Sequence, residues 1–201
     1  MNSQELLDKR KERLNATVNT KTAYYRRGIS FLNMLSDCCF LSEDYEEERE
    51  LVISMIENNS LWERNNYESF INSMKLSKHL EFLTNYTPEY FKENNVETFK
   101  LTGYNIGYAL KPYVIETGEQ CVDIISVHNN SSVKNIGKFI IESAIKNGGN
   151  TLDHFDGFLT KFYESLGFVE YARYKWDEQY APKNWNYNVY GTPDVICRKL
   201  K

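Results

Sequence analysis

Tyr163 stands in the stretch Phe162-Tyr163-Glu164-Ser165-Leu166-Gly167-Phe168. A phenol has a pKa of about 10, so by type Tyr163 is either a packing residue or, once positioned and polarised, a proton donor. The same stretch also fits an ordinary helix end, with Phe162, Leu166 and Phe168 as packing anchors. A second group of residues suits an anion. Ile125, Ser126 and Val127 end an apolar run, and Ser132, Lys134, Asn135, Ile136, Gly137 and Lys138 lead into a helix. A strand that passes through small residues into a helix start turns backbone N–H groups outward, and the helix dipole there favours phosphate. Gly137 lets the backbone approach a pyrophosphate closely, Asn135 tolerates left-handed backbone, and Lys134 and Lys138 add charge. An ordinary strand-to-helix loop has the same composition, so the signal alone is weak.

Four titratable groups near these segments could take a proton: Glu116, His128, Asp153 and His154. Their spacing does not choose among them. Asp156 precedes the helix that carries Tyr163, where it either caps that helix or binds an amide. The loop Tyr180–Tyr190, with Trp185 and Tyr187, either walls a substrate or packs inward.

The elements that position these groups follow from periodicity and punctuation. Residues 4–36 read as helical with a break near 15–22, and Leu6, Leu7, Leu14, Ile29, Leu32 and Leu35 form their apolar positions. Ser42 followed by Glu43-Asp44 predicts a helix over about 43–57, and Phe70, Ile71, Met74, Leu80 and Leu83 predict another over about 62–83. Pro88 and Asn94-Asn95 mark loop. The pattern then becomes β: Phe99–Leu110, interrupted by Gly103 and Gly107, and Cys121–Val127, an apolar run with one Asp. A helix through Phe139–Ile145 stops at Gly148-Gly149. Thr151–Phe155, a helix to about Leu166, Val169–Trp176 and Val195–Arg198 complete the order.

The 201 residues are 41% hydrophobic and 14% aromatic, enough to bury a core. A net charge of −4 argues against a strongly basic nucleic-acid binder. Basic residues gather at 9–27 and acidic ones at 43–50, and both runs fit solvated helix faces. Cys38, Cys39, Cys121 and Cys197 lack Cys-x-x-Cys spacing, so neither zinc nor a disulfide framework is expected. With no run of 18 apolar residues and no apolar leader, a cytoplasmic protein is expected, with no membrane partner.

This order and spacing resemble the GNAT superfamily of acetyl-CoA-dependent N-acetyltransferases. The family's phosphate loop, Arg/Gln-x-x-Gly-x-Gly/Ala, aligns on Gly137, with Asn135 at the first Gly and Ser132 at the Arg/Gln position. Its Asn-x-x-Ala-x-x-x-Tyr element, followed by Leu-Gly-Phe, aligns on Tyr163, with Asp156 at the Asn and Leu159 at the Ala. The likeness covers residues 96–201. It implies an α/β (α+β) fold: a mixed, mostly antiparallel sheet with flanking helices, over residues 36–201. A first strand would lie near Cys38–Leu41 and a helical extension over 1–35. It further implies acetyl-CoA as cosubstrate, its pantetheine arm lying strand-like beside Ile124–Val127, where the sheet splays. An amine would attack the thioester directly, a backbone N–H near Ser126 or Val127 would hold the oxyanion, and Tyr163 would protonate the thiolate. Ser132 removes a long donor, which shifts part of CoA binding to Lys134 and Lys138. The acceptor amine, small molecule or protein, is not named by the sequence, and a homodimer is left open. Three other readings remain: a GNAT-shaped interaction module without activity, a different donor such as aminoacyl-tRNA or a longer acyl-CoA, and a phage- or plasmid-encoded modifier of a host protein.

Overall fold

The computed structural model describes residues 2–12, 38–78, 80–83, 86–115, 118–182 and 185–201. The expected break near 15–22, the stripe Ile29, Leu32 and Leu35, and Glu116 lie outside them. The chain divides into two compact units, Met1–Leu61 with Ser132–Ile136, and Trp62–Ser131 with Gly137–Lys201.

In the first unit, residues 3–12 form α1. The Asn2 side chain accepts from the Glu5 N–H, and the Glu5 carboxylate accepts from the Asn2 N–H. Two of the helix's otherwise orphaned donors are thereby satisfied reciprocally. The second helix, α2, spans Cys38–Glu57 and is followed by a 3-10 turn, Asn59–Leu61. The expected strand near Cys38–Leu41 is therefore helical, and Ser42 lies inside the helix instead of capping it. Four apolar residues are too few for periodicity to separate strand from helix. Leu51, Val52, Met55 and Ile56 supply its buried stripe.

The second unit is built on a seven-stranded sheet in the order β1-β2-β3-β4-β5-β7-β6. Its strands are β1 (Trp62–Arg64), β2 (Glu97–Leu101), β3 (Ile106–Val114), β4 (Gln120–Asn129), β5 (Thr151–Phe155), β6 (Phe168–Tyr174) and β7 (Val195–Leu200). Every neighbouring pair is antiparallel except β4 and β5. Helices α3 (Tyr67–Met74), α4 (Pro88–Glu93), α5 (Gly137–Lys146), α6 (Phe158–Ser165) and the short α7 (Tyr187–Tyr190) flank it. This is the mixed, mostly antiparallel α+β sheet that the sequence leads one to expect.

The single helix expected over 62–83 is instead a strand, a helix and a 3-10 turn at Leu80–Phe82. Asn65, at φ 55°, turns the chain, and the Asn66 side chain accepts from the Ser69 N–H to start α3. Pro88, read as loop, occupies the first turn of α4, with Thr87 as its cap. The run Phe99–Leu110 folds as the β2–β3 hairpin, which turns where Gly103 takes φ 77°.

One face of the sheet receives α3 and α4: Phe70, Ile71, Met74, Phe91 and Val96 cluster with Ala109 and Ile125. Strand alternation turns Tyr108, next to Ala109, to the opposite face. There its hydroxyl hydrogen-bonds Ser143 of α5 at 3.2 Å and accepts from Asn147 at 2.9 Å. The parallel pair β4–β5 shares a single register contact, Asp123↔Thr151. Beyond it β4 runs on to Asn129 and β5 stays paired with β7 along its whole length. The sheet opens at that point. Gly149, which leads into β5, sits so close to Ile124 that an added Cβ would lie 2.5 Å from its Cγ1 and 3.0 Å from Leu110 Cδ2. Gly149→Ala should lower unfolding stability by about 1–3 kcal/mol in urea titrations, with the slope unchanged.

Candidate active site

The opening carries a second irregularity. Gly107 and Ala109 of β3 are two residues apart, whereas their partners on β4, His128 and Ile125, are three apart. β4 therefore holds one extra residue, a bulge, and Ser126 within it takes φ 54°. Left-handed backbone at a non-glycine residue costs about 1–2 kcal/mol, so something must hold it. His128 does: its Nδ1 donates to the Ser126 carbonyl at 3.0 Å, and its Nε2 accepts from the Ser73 hydroxyl of α3 at 2.9 Å. A carbonyl can only accept, so the tautomer is fixed with the proton on Nδ1. Burial pushes the imidazole pKa down to about 4. With both nitrogens engaged, the ring is unsuited to the base role considered for it. Gly107 makes room: a Cβ there would lie 2.8 Å from His128 Cε1 and 2.7 Å from the Phe99 carbonyl oxygen.

Of the residues expected around the donor, Ile125 and Ser126 are buried and Val127 half-buried, all on the splayed strand. Gly137 and Lys138 are exposed in the first turn of α5, which contains no acidic residue. Lys138 lies 3.8 Å from Glu142, an exposed pair of little energetic weight. Ser132, Lys134, Asn135 and Ile136 belong to the first unit. There Ile136 is buried, Ser132, Lys134 and Asn135 are exposed, and Asn135 takes φ 58°, the left-handed turn its residue type suggested.

Tyr163 lies on α6, with its ring 5.2 Å from both the His154 and Phe162 rings and 6.1 Å from that of Phe168. Desolvation, and then the negative charge of Asp153, push its hydroxyl up to about 12. The phenol keeps its proton at neutral pH. Phe162, the residue before Tyr163 on α6, lies by the α5 N-terminus, 3.7 Å from where a Gly137 Cβ would be.

Two expected roles fail. His154 cannot serve as a base, because its Nδ1 donates to the Phe155 carbonyl at 2.8 Å and its Nε2 accepts from Arg198 Nε at 2.9 Å. Its pKa is lowered by burial, with Arg198 adding to the effect. The guanidinium of Arg198, only 1% exposed, continues to Glu164 at 3.0 Å and the Phe168 carbonyl at 3.3 Å, tying α6 to the sheet. Asp156 does not cap α6, whose N-cap is Gly157. Its carboxylate instead accepts from Thr160 at 2.8 Å and pairs with Arg173 at 2.8 Å, which holds it in its charged form.

The opposite face of β4 and β5 bears two carboxylates, Asp123 and Asp153. Asp153 was a sequence candidate; Asp123 was visible only as the lone Asp in an apolar strand. Desolvation and the charge of Asp153 push Asp123 up to about 7, and desolvation also raises Asp153, although it keeps contact with solvent. Thr151 donates to Asp123 at 3.4 Å. Lys111, register partner of Asp123, places its ammonium over the stacked rings of Tyr86 and Tyr90, 5.3 and 5.6 Å from their centroids. At the end of β5 an aromatic wall follows. Phe155 packs on Trp176 and Trp185, Trp185 on Tyr190, and Phe82 on Trp185. A cavity of about 410 Å³ lies against Phe155, Tyr174, Trp176, Tyr180 and Val195. Trp185 is buried, its Nε1 donating to the Gly191 carbonyl at 2.8 Å, while Tyr187 is exposed and bonds Glu178. The loop thus both packs inward and lines a cavity. Among the described residues no helix is long and apolar enough to cross a membrane.

No protein-family model and no curated protein matches the chain. Solved structures overlap it in part. The NatB acetyltransferase complex bound to CoA and MES is 11% identical, with 66% of this chain and 93% of that chain covered and a TM-score of 0.44. N-acetylglutamate synthase from Neisseria gonorrhoeae with coenzyme A and L-arginine is 14% identical over 69% of this chain and 32% of that one, at 0.42. A GNAT family acetyltransferase from Elizabethkingia anophelis with acetyl-CoA bound is 18% identical over 56% and 82%, at 0.39. Overlaps this shallow decide neither membership nor activity.

The carboxyl of Asp123 gives a measurable pH dependence. Its folded pKa lies above the unfolded value, so its contribution is fully present below about pH 4 and is lost as pH rises through about 7. Asp123→Asn should therefore be more stable than wild type by about 1–3 kcal/mol at pH 8, the difference shrinking toward pH 5 in denaturant titrations.

Proposed function

We propose that this chain is an acyl-CoA-dependent N-acyltransferase that moves an acetyl group from acetyl-CoA to a primary amine. The supporting observation is the opened β4–β5 pair, with its bulge at Ser126 on β4 and, on α6, Phe162 against the start of α5. An opened parallel pair leaves backbone N–H and C=O groups on β4 for an extended ligand to use as a further strand, which suits the amide-bearing pantetheine arm. The first turn of α5, with Gly137 and Lys138, suits its pyrophosphate. Sequence continuity adds Ser132, Lys134, Asn135 and Ile136 directly before it.

The thioester supplies the activated acyl group. On the protein's side, Asp153 takes the proton of the arriving ammonium, with Asp123 beside it holding a proton of its own. The free amine then attacks the acyl carbon, and a backbone N–H at Ser126 or Val127 stabilises the oxyanion. As the C–S bond breaks, the Tyr163 hydroxyl gives its proton to the thiolate sulfur. Attack leaves the nitrogen positively charged; it sheds its second proton, which restores the Tyr163 phenol through solvent, and the proton taken by Asp153 passes to solvent, so each turnover releases one proton. The aromatic wall next to Asp153 suits an acceptor with an apolar or aromatic group near its amine.

Acetyl-CoA at saturating concentration should raise Tm by several degrees, and no shift at any concentration would point to an interaction module without activity. Tyr163→Phe should leave the acetyl-CoA Kd unchanged and lower kcat by about 10²-fold or more; undiminished turnover removes Tyr163 from the acid role. Asp153→Asn should lower kcat/KM by about 10²–10⁴-fold at pH 7, with partial recovery as pH rises and more of the amine is free.

A further inference from the structure

We infer that His128, fixed by Ser73, is the positioning residue that holds the β4 bulge and so sets where the Ser126 and Val127 amides lie. The inference rests on the transferase reading for its catalytic consequence, and on geometry alone for its structural one. Ser126 sits in a backbone region that a serine does not choose unaided, at φ 54°. His128 Nδ1 donates to its carbonyl at 3.0 Å. That bond needs the imidazole plane held in one orientation, which the Ser73 hydroxyl provides at 2.9 Å. Ser73 is placed in turn: its carbonyl accepts from Asn130 Nδ2 at 2.7 Å, so α3 is tied to the residue just after β4. The Phe70 ring meets the imidazole edge-on at 5.2 Å, and the missing side chain of Gly107 leaves the ring its space. Five residues from α3, β3 and β4 therefore agree on one ring position.

This arrangement links the bulge to the α3–α4 face. Phe70 also packs on Phe91 of α4, which meets Tyr67 at a tilt and Tyr86 edge-on, and the Lys111 ammonium lies over the Tyr86 ring. Groups that face Asp123 on the acceptor side thus rest on the same helix that fixes the oxyanion strand. A shift of α3 would move the amides of Ser126 and Val127 without touching either carboxylate.

The test compares His128→Ala, His128→Asn and Ser73→Ala with wild type. Asn keeps a donor near the Nδ1 position and gives up the Ser73 contact. Residue-resolved amide exchange should rise at least about tenfold at Ser126 and Val127 in His128→Ala, beyond any rise elsewhere in β4, with smaller rises in the other two variants. Kinetics should show kcat lowered about tenfold or more in His128→Ala with the acceptor KM little changed, and Asn should restore most of it. Exchange that rises evenly along β4 overturns the inference, as does an unaltered kcat despite a loosened bulge. If His128→Ala does not fold, Ser73→Ala carries the same comparison. Wild-type protein that binds no acetyl-CoA sinks the transferase reading, while the exchange pattern still decides whether His128 holds the bulge.

Discussion

The constraint on which the second unit turns is that β4 cannot keep both neighbours. It pairs with β3 along its length, but the extra residue at Ser126 adds local twist that a straight parallel partner cannot follow. The pair β4–β5 accordingly ends after Asp123 and Thr151. β5 does not unravel because β7 holds it through five register pairs, from Thr151 to Phe155. A gap in the middle of a sheet would ordinarily leave backbone groups unsatisfied. Here it becomes a built edge inside the sheet, in a unit where Phe162 of α6 meets the start of α5. The interior position distinguishes it from an outer edge strand, which natural sheets tend to blunt.

The charged groups around the gap are arranged by opposite logic on its two faces. On the α6 face Arg198 and His154 are matched: Arg198 meets His154, Glu164 and the Phe168 carbonyl, and His154 spends both nitrogens. A buried guanidinium is tolerable only when surrounded in this way. The result is a rigid, chemically quiet floor on which Tyr163 keeps its proton. On the other face, desolvation and the charge of Asp153 make Asp123 costly to ionise, and Lys111, whose ammonium lies over two tyrosine rings, relieves this only in part. A pair of carboxylates left in that condition gains from the arrival of a cation, and an ammonium is one. The quiet face suits proton donation to a leaving group; the strained face suits proton removal from a nucleophile.

How much of this was legible in the sequence depended on the range of the signal. Runs bounded by glycine, such as Phe139–Ile145 before Gly148-Gly149, were readable because their cause is local. The left-handed turn at Asn135 was legible in its residue type. The segment 62–83 was misread because Trp62-Glu63-Arg64 carries too few residues to show a period of two, and only the Asn65-Asn66 turn betrays the change. The roles of His128 and His154 were beyond reach for a different reason. Whether a histidine is free to take a proton depends on which groups meet its two nitrogens, and those are Ser73, 55 positions away, and Arg198, 44 positions away. The same holds for Asp123, whose elevated pKa arises from a strand that is its neighbour only in the folded sheet.

Histidine, the residue type most associated with proton transfer near neutral pH, is thus used here for the opposite purpose. Both described imidazoles are buried, fixed in a single tautomer and lowered in pKa, which makes them dependable neutral hydrogen-bonding parts. A residue that switched charge near neutrality would loosen the bulge or the α6 floor whenever pH fell. On the proposed reading, removing that freedom leaves the acid–base work to a phenol held protonated up to about 12 and to Asp153, whose carboxyl is raised by desolvation. Two groups displaced upward by burial, a phenol that keeps its proton and a carboxyl made more basic, form a workable acid–base pair for a reaction that gives a proton to sulfur and takes one from nitrogen. The chemistry proposed for the gap follows from that separation of duties, with histidines setting geometry and tyrosine and aspartate moving protons.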